Sequence, residues 1–113
     1  MKKIYLATPY SHKNPEIRKA RFDAVNVIAA KLMSKGYLVF SPISHTHPIA
    51  VAGDLPKGWE FWAAYDRTFI EWCDEIHVFQ QDGWQESTGV VAEIKLAEEM
   101  NKPVVFIEGA LFD

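Results

Sequence analysis

Two carboxylates stand where helices should present apolar side chains. At about 100° per residue, a helix entered near Thr88 has an apolar arc of Leu96, Met100, Ala97, Val90 and Ile94. Glu93 falls inside that arc, between Met100 and Ala97, while Lys95, Glu98 and Glu99 already supply the solvated side. A helix through residues 56–73 repeats the pattern. Its apolar arc is Phe69, Trp62, Cys73, Trp59, Ile70 and Ala63; Asp66 falls between Cys73 and Trp59, and Glu60, Arg67 and Glu71 lie opposite. A carboxylate aimed at a packed face is costly unless it is paired or neutralised. Paired acids in a cleft suit glycosidic-bond chemistry, in which one attacks the anomeric carbon and another group protonates or polarises the leaving group. The competing explanation is structural: each acid pairs with a buried polar group, or a helix is rotated from the ideal wheel.

The elements that would position these acids alternate in type. Lys3 to Ala7 is an apolar run ended by Pro9, as in a buried strand. Asn14-Pro15-Glu16 is a helix start, and Ile17, Ala20, Ala24, Val27, Ile28 and Leu32 follow at helical spacing up to Gly36. Tyr37 to Phe40 is a second strand, and Ile43 to Leu55 is expected to be a long loop. Pro56 opens a helix to about Cys73, Asp74 to Phe79 is a third strand, and Gln80 to Glu86 is a polar loop. Thr88 to about Lys102 is a third helix and Pro103 to Ile107 a fourth strand. Strands alternating with helices imply a parallel sheet covered on both faces. We therefore expect a three-layer α/β/α domain over residues 1–113, with four or five strands in flavodoxin-like order. In such sheets the ligand sits beyond the carboxyl ends of the strands, here Thr8 to Ser11, Ser41 to His47 and Gln80 to Ser87.

Composition narrows the possible partners. With 113 residues and a net charge of −3, the chain lacks the basic field of a non-specific nucleic-acid binder. Its single cysteine, Cys73, excludes an intrachain disulfide and a cysteine-rich metal site. The apolar run after Met1-Lys2-Lys3 is too short for a signal peptide or a membrane span, so a soluble, cytoplasmic chain is expected. His45-Thr46-His47 offers two imidazoles but no third ligand nearby, so neither a metal nor another cofactor is expected. Gly53 to Gly58 has the glycine spacing of a phosphate loop, but Trp59-Glu60 follows where Lys and Ser or Thr belong. Trp59, Trp62 and Trp72 read as core or interface aromatics; Trp84, in the loop before Ser87, is the exception.

Tyr5-Leu6-Ala7, Asp66 eight residues before Asp74, and Ser87-Thr88-Gly89-Val90-Val91-Ala92-Glu93-Ile94 together resemble the nucleoside 2-deoxyribosyltransferase superfamily. The resemblance runs from the first strand to Pro103-Val104-Val105, and its most specific piece is the Ser-x-Gly-Val-x-x-Glu stretch. It implies Glu93 as nucleophile, Asp66 as the group that handles base or sugar, and Tyr5 as the residue that steadies Glu93. The strand-end loops and the start of the third helix supply the expected substrate-binding set: Thr8, Pro9, Tyr10, Ser11, His45, Trp84, Ser87 and Gly89. Where the transferases proper carry an aspartate six residues before the nucleophile, this chain has Ser87. That serine looks like the nucleoside 5′-monophosphate N-glycosidase branch, where it contacts the phosphate.

The expected activity is cleavage or transfer at the N-glycosidic bond of a nucleoside or nucleoside 5′-monophosphate, through a glycosyl ester on Glu93. Ser87 entering a helix makes the monophosphate the expected better substrate. The alternative is a non-catalytic nucleotide-binding or sensing domain of the same fold, since one fold hosts many functions. Four tryptophans and the apolar tail Ala110-Leu111-Phe112, together with the resemblance, lead to an expected homodimer or larger assembly.

Overall fold

The computed structural model of the chain describes residues 1–56 and 58–108; the tail Ala110-Leu111-Phe112 lies outside them. Four strands, β1 (Lys3–Ala7), β2 (Leu38–Phe40), β3 (Glu75–Phe79) and β4 (Val104–Ile107), form one parallel sheet in the order β2-β1-β3-β4. This is the flavodoxin-like order, and helices cover both faces. The register pairs Tyr5 with Phe40 on one side and with Ile76 on the other. The side-chain period of two divides β1 between two cores. Tyr5 and Ala7 join Ile76, Val78, Ile70 and Val90 on one face, and Leu6 joins Val25, Ile28 and Leu32 on the other.

Helix α1 (Pro15–Ser34) starts on the signals its sequence carries: Asn14 Oδ1 accepts from the Glu16 N–H at 2.9 Å, and Pro15 occupies the first turn. It ends just before Gly36, whose φ of +96° suits a residue without a β-carbon.

The segment expected as a loop is instead a helix, α2 (Pro42–Gly53). Pro42 fits the first turn of a helix. Pro48, inside it, lacks the N–H that an interior turn normally bonds. Burial of Ala50, and of Ile43 in the core shared with Val25 and Ile28 of α1, outweighs that deficit. The helix ends at Asp54, in the left-handed region at φ 50°, where the Leu55 N–H returns to the Ala50 carbonyl at 2.9 Å.

Helix α3 (Trp59–Trp72) begins after Gly58, three residues beyond Pro56, and α4 (Thr88–Glu99) is shorter than expected. Asn101, with φ 58°, turns the chain away before Lys102. Both helices pack on the Tyr5 face of the sheet. Among the described residues, no helix is long and apolar enough to cross a membrane.

Candidate active site

The sheet order reverses around β1, whose neighbours β2 and β3 come later in the chain. Crevices at such switch points lie outside the carboxyl ends of the strands. A cleft of about 440 Å³ opens there. Its floor includes Thr8, Tyr10 and Ser11 after β1, and one wall is the start of α4 from Glu86 to Gly89. The opposite wall comes from α2, through Ile43, Thr46 and Ala50, and from α3, through Trp59, Glu60 and Trp62. Asp66 and Glu93 both reach the cleft.

These two acids are almost fully buried, with 8% and 5% of their surfaces exposed. The Tyr5 hydroxyl, itself buried on β1, donates to Glu93 Oε2. Asp66 Oδ1 is buried and has no hydrogen-bond partner among the described residues. Desolvation pushes the Glu93 carboxyl up to about 8; the charge of Asp66 adds to the rise, and the Tyr5 hydrogen bond opposes it. Desolvation likewise pushes Asp66 up to about 7, again against a hydrogen bond from Tyr5. Such neighbours titrate as a pair. Near neutral pH the pair holds one proton, so one member can act as an anion while the other donates. Burial holds the proton more tightly on Glu93 than on Asp66 and the Tyr5 bond counters it, so Glu93 is the nucleophile in the form where the shared proton sits on Asp66.

The loops around the acids are fastened from behind. Thr8 Oγ1 donates to the Phe79 carbonyl at 2.9 Å and accepts from Gln81 Nε2 at 3.0 Å. Arg21, on α1, donates to the carbonyls of Ser11 at 3.1 Å and Asp82 at 3.0 Å, joining the loops after β1 and β3. Arg18 donates to the His12 carbonyl. Ser87 Oγ caps α4 by accepting from the Val90 N–H at 3.2 Å.

A family model described as a domain of unknown function (DUF1937) matches residues 2–109. The chain belongs to that family. No curated protein matches it. The DUF1937 description carries no activity, so the chemistry of this member is read from its own side chains.

Of the residues singled out from the sequence, Asp66, Glu93, Thr8, Tyr10, Ser11, Ser87 and Gly89 line the cleft, and Tyr5 supports Glu93 from beneath. Pro9 is buried behind the lining. Trp84 packs against the α4-side core and Phe106, with ring centroids 5.5 Å apart, rather than on the cleft. His45 and His47 diverge: His45 lies against Tyr65, whereas His47 stacks on Phe22 at 4.4 Å and meets the Tyr10 hydroxyl at 2.5 Å. Among the described residues no group of three potential metal ligands forms. Cys73 is a core residue, its thiol pushed up by burial.

The sequence pattern places Trp59 and Trp62 in the core or an interface and Glu60 opposite the apolar arc, yet all three line the cleft. A usable signal existed, since Trp59, Trp62 and Asp66 recur at helical spacing on one arc. What Asp66 faces, the tryptophans face too. The α2 residues carried no such signal, because their segment did not read as a helix.

Proposed function

We propose that the protein cleaves or transfers the N-glycosidic bond of a nucleoside or nucleoside 5′-monophosphate by double displacement. One observation carries the reading: a buried carboxylate, Glu93, held by the Tyr5 hydroxyl beside a second buried acid, Asp66, whose Oδ1 has no partner among the described residues, both lining the switch-point cleft. A domain that only bound nucleotides would gain nothing from burying two acids.

Glu93 attacks the anomeric carbon and the C–N bond breaks, its electron pair passing to the base nitrogen. In the form where the shared proton sits on Asp66, Asp66 gives it to the departing base. The ester on Glu93 is then opened by water or by a second base, whose proton returns to Asp66. Tyr5 positions Glu93 and does not itself reach the cleft lining.

Of the two substrate forms, the nucleoside is the better match. The cleft lining described contains no lysine or arginine, and both α1 arginines are engaged by carbonyls. Ser87 serves as a helix cap.

The direct test is chromatography of free base after incubation with nucleosides and nucleotides, with and without an acceptor base. Base release that is lost in Glu93→Ala, together with a glycosyl adduct on Glu93 by mass spectrometry, is the expected result. Tight nucleotide binding without base release would favour the sensing domain instead. We also expect a cytoplasmic homodimer or larger assembly, consistent with the exposure of Phe61 and Phe106. A stable monomer by sedimentation at micromolar concentration would remove that expectation.

A further inference from the structure

The charges around the cleft are lopsided. Four lining residues are acids, Glu60, Asp66, Glu86 and Glu93, and no lysine, arginine or histidine is among the described lining. Glu60 sits in the first turn of α3, and Glu86 directly precedes the α4 cap. Each therefore offsets the partial positive charge of the helix end beside it. Two tryptophan rings stand among these acids. Trp59 lies over the start of α4, where a β-carbon on Gly89 would come 3.9 Å from Trp59 Cε3. Trp62 is oriented by its indole N–H, which donates to the Pro56 carbonyl at 2.8 Å. Deeper in, Asp66 Oδ1 is more than nine-tenths buried and unpartnered.

Aromatic faces beside carboxylates are how proteins recognise organic cations. We propose that the leaving group of the substrate is a planar heterocycle carrying a positive charge, received between Trp59, Trp62 and the carboxylates Glu60 and Glu86. The inference rests on the glycosidic reading above and deepens it.

The chemistry fits such a leaving group. When Glu93 attacks the anomeric carbon, the C–N electron pair cancels the charge on the heterocycle. It departs neutral and needs no proton. Water then opens the ester, regenerating the Glu93 carboxylate, and one proton goes to solvent per turnover. With an uncharged nucleoside the departing base keeps that proton and none is released. An incoming cation also favours the ionised form of the buried acids, which supplies the nucleophile.

The test uses 7-methylguanosine and guanosine, and their 2′-deoxy forms, at about pH 6, where the methylated base is cationic. Dissociation constants are read from quenching of tryptophan fluorescence. We expect the methylated compounds to bind about tenfold tighter, equivalent to ~1.4 kcal/mol, with the advantage shrinking at high salt. The double variant Glu60→Gln/Glu86→Gln should lose most of it. Equal or weaker binding of the methylated compounds overturns the proposal. So does a preference that survives the double variant. The glycosidic reading is tested separately, by base release that depends on Glu93. Binding preference and turnover can thus fail independently.

Discussion

Gly83 lies so close to Arg21 that a β-carbon at position 83 would sit 3.0 Å from Arg21 Nη2. The same glycine has φ +88°, a conformation that side chains disfavour. Arg21 uses this approach to reach the Asp82 carbonyl while also holding Ser11. The loops after β1 and β3 are thus tied together behind the cleft. Gly83→Ala should cost about 1–2 kcal/mol for the left-handed backbone, measured by urea unfolding. It should also lower kcat/KM for base release, because Arg21 must move. Unfolding curves that superimpose on those of the parent would show that neither constraint matters.

Burial of Glu93 and Asp66 makes stability depend on pH in a stated direction. Both carboxyls hold their protons more tightly in the folded chain than in the unfolded one. As pH rises, the unfolded state loses these protons first, so their contribution is most favourable below about pH 4. It is lost as pH climbs toward the folded values of about 7 and about 8. Glu93→Gln removes much of this slope. Relative to the parent, the variant should gain on the order of 2 kcal/mol at about pH 9 and little at about pH 5. Parallel stability curves for the two proteins would contradict the burial of a titrating pair.

The opposite end of β3 carries a polar cluster with the reverse sign. Glu75 accepts from Lys2 Nζ at 3.1 Å and pairs with His77 Nε2 at 2.8 Å. The His77 hydrogen bond, aided by Lys2, holds the Glu75 carboxyl below its ordinary value against the burial that pushes it up. Its contribution is therefore present above about pH 4.5 and lost as pH falls through the folded value. Glu75→Ala should cost roughly 2 kcal/mol near neutral pH, because it leaves His77 buried without that partner. The difference should shrink toward about pH 3. Base release should be retained, since the cleft lies beyond the other ends of the strands.

How much of this could be read beforehand depended on whether the signal was local. Asp66 and Glu93 were legible because each breaks an otherwise apolar helical arc, whereas Tyr5, part of an apolar run, entered only through the family resemblance. The strand order was legible because strand–helix alternation leaves few topologies. Helix α2 was not, since its stability comes from tertiary burial, such as that of Ile43 in the core shared with α1, and not from its own composition. With α2 unseen, the wall that makes Trp59 and Trp62 into cleft residues was missing, and two large aromatics on the apolar arc of a helix read as core or interface residues. The divergence of His45 and His47 likewise depends on α2, because adjacent-but-one positions point to different sides of a helix.

The bond from Tyr5 to Glu93 yields the last prediction. Tyr5→Phe removes a single oxygen from a ring that is fully buried and 6.0 Å from Phe40, so the packing is largely kept. What is lost is the donor that opposes desolvation of Glu93. Without it the Glu93 carboxyl moves further up, and a larger share of the protein carries a protonated, non-nucleophilic Glu93 near neutral pH. In the parent, kcat/KM should be bell-shaped, with limbs near 7 and 8 that belong to the pair. In the variant the optimum should shift to higher pH and kcat should fall by about 10²-fold at neutral pH, while KM changes little because Tyr5 does not line the cleft. The two profiles, recorded side by side, separate positioning from general destabilisation. A loss of activity uniform across pH, accompanied by a lowered Tm, would mean that Tyr5 serves only the core.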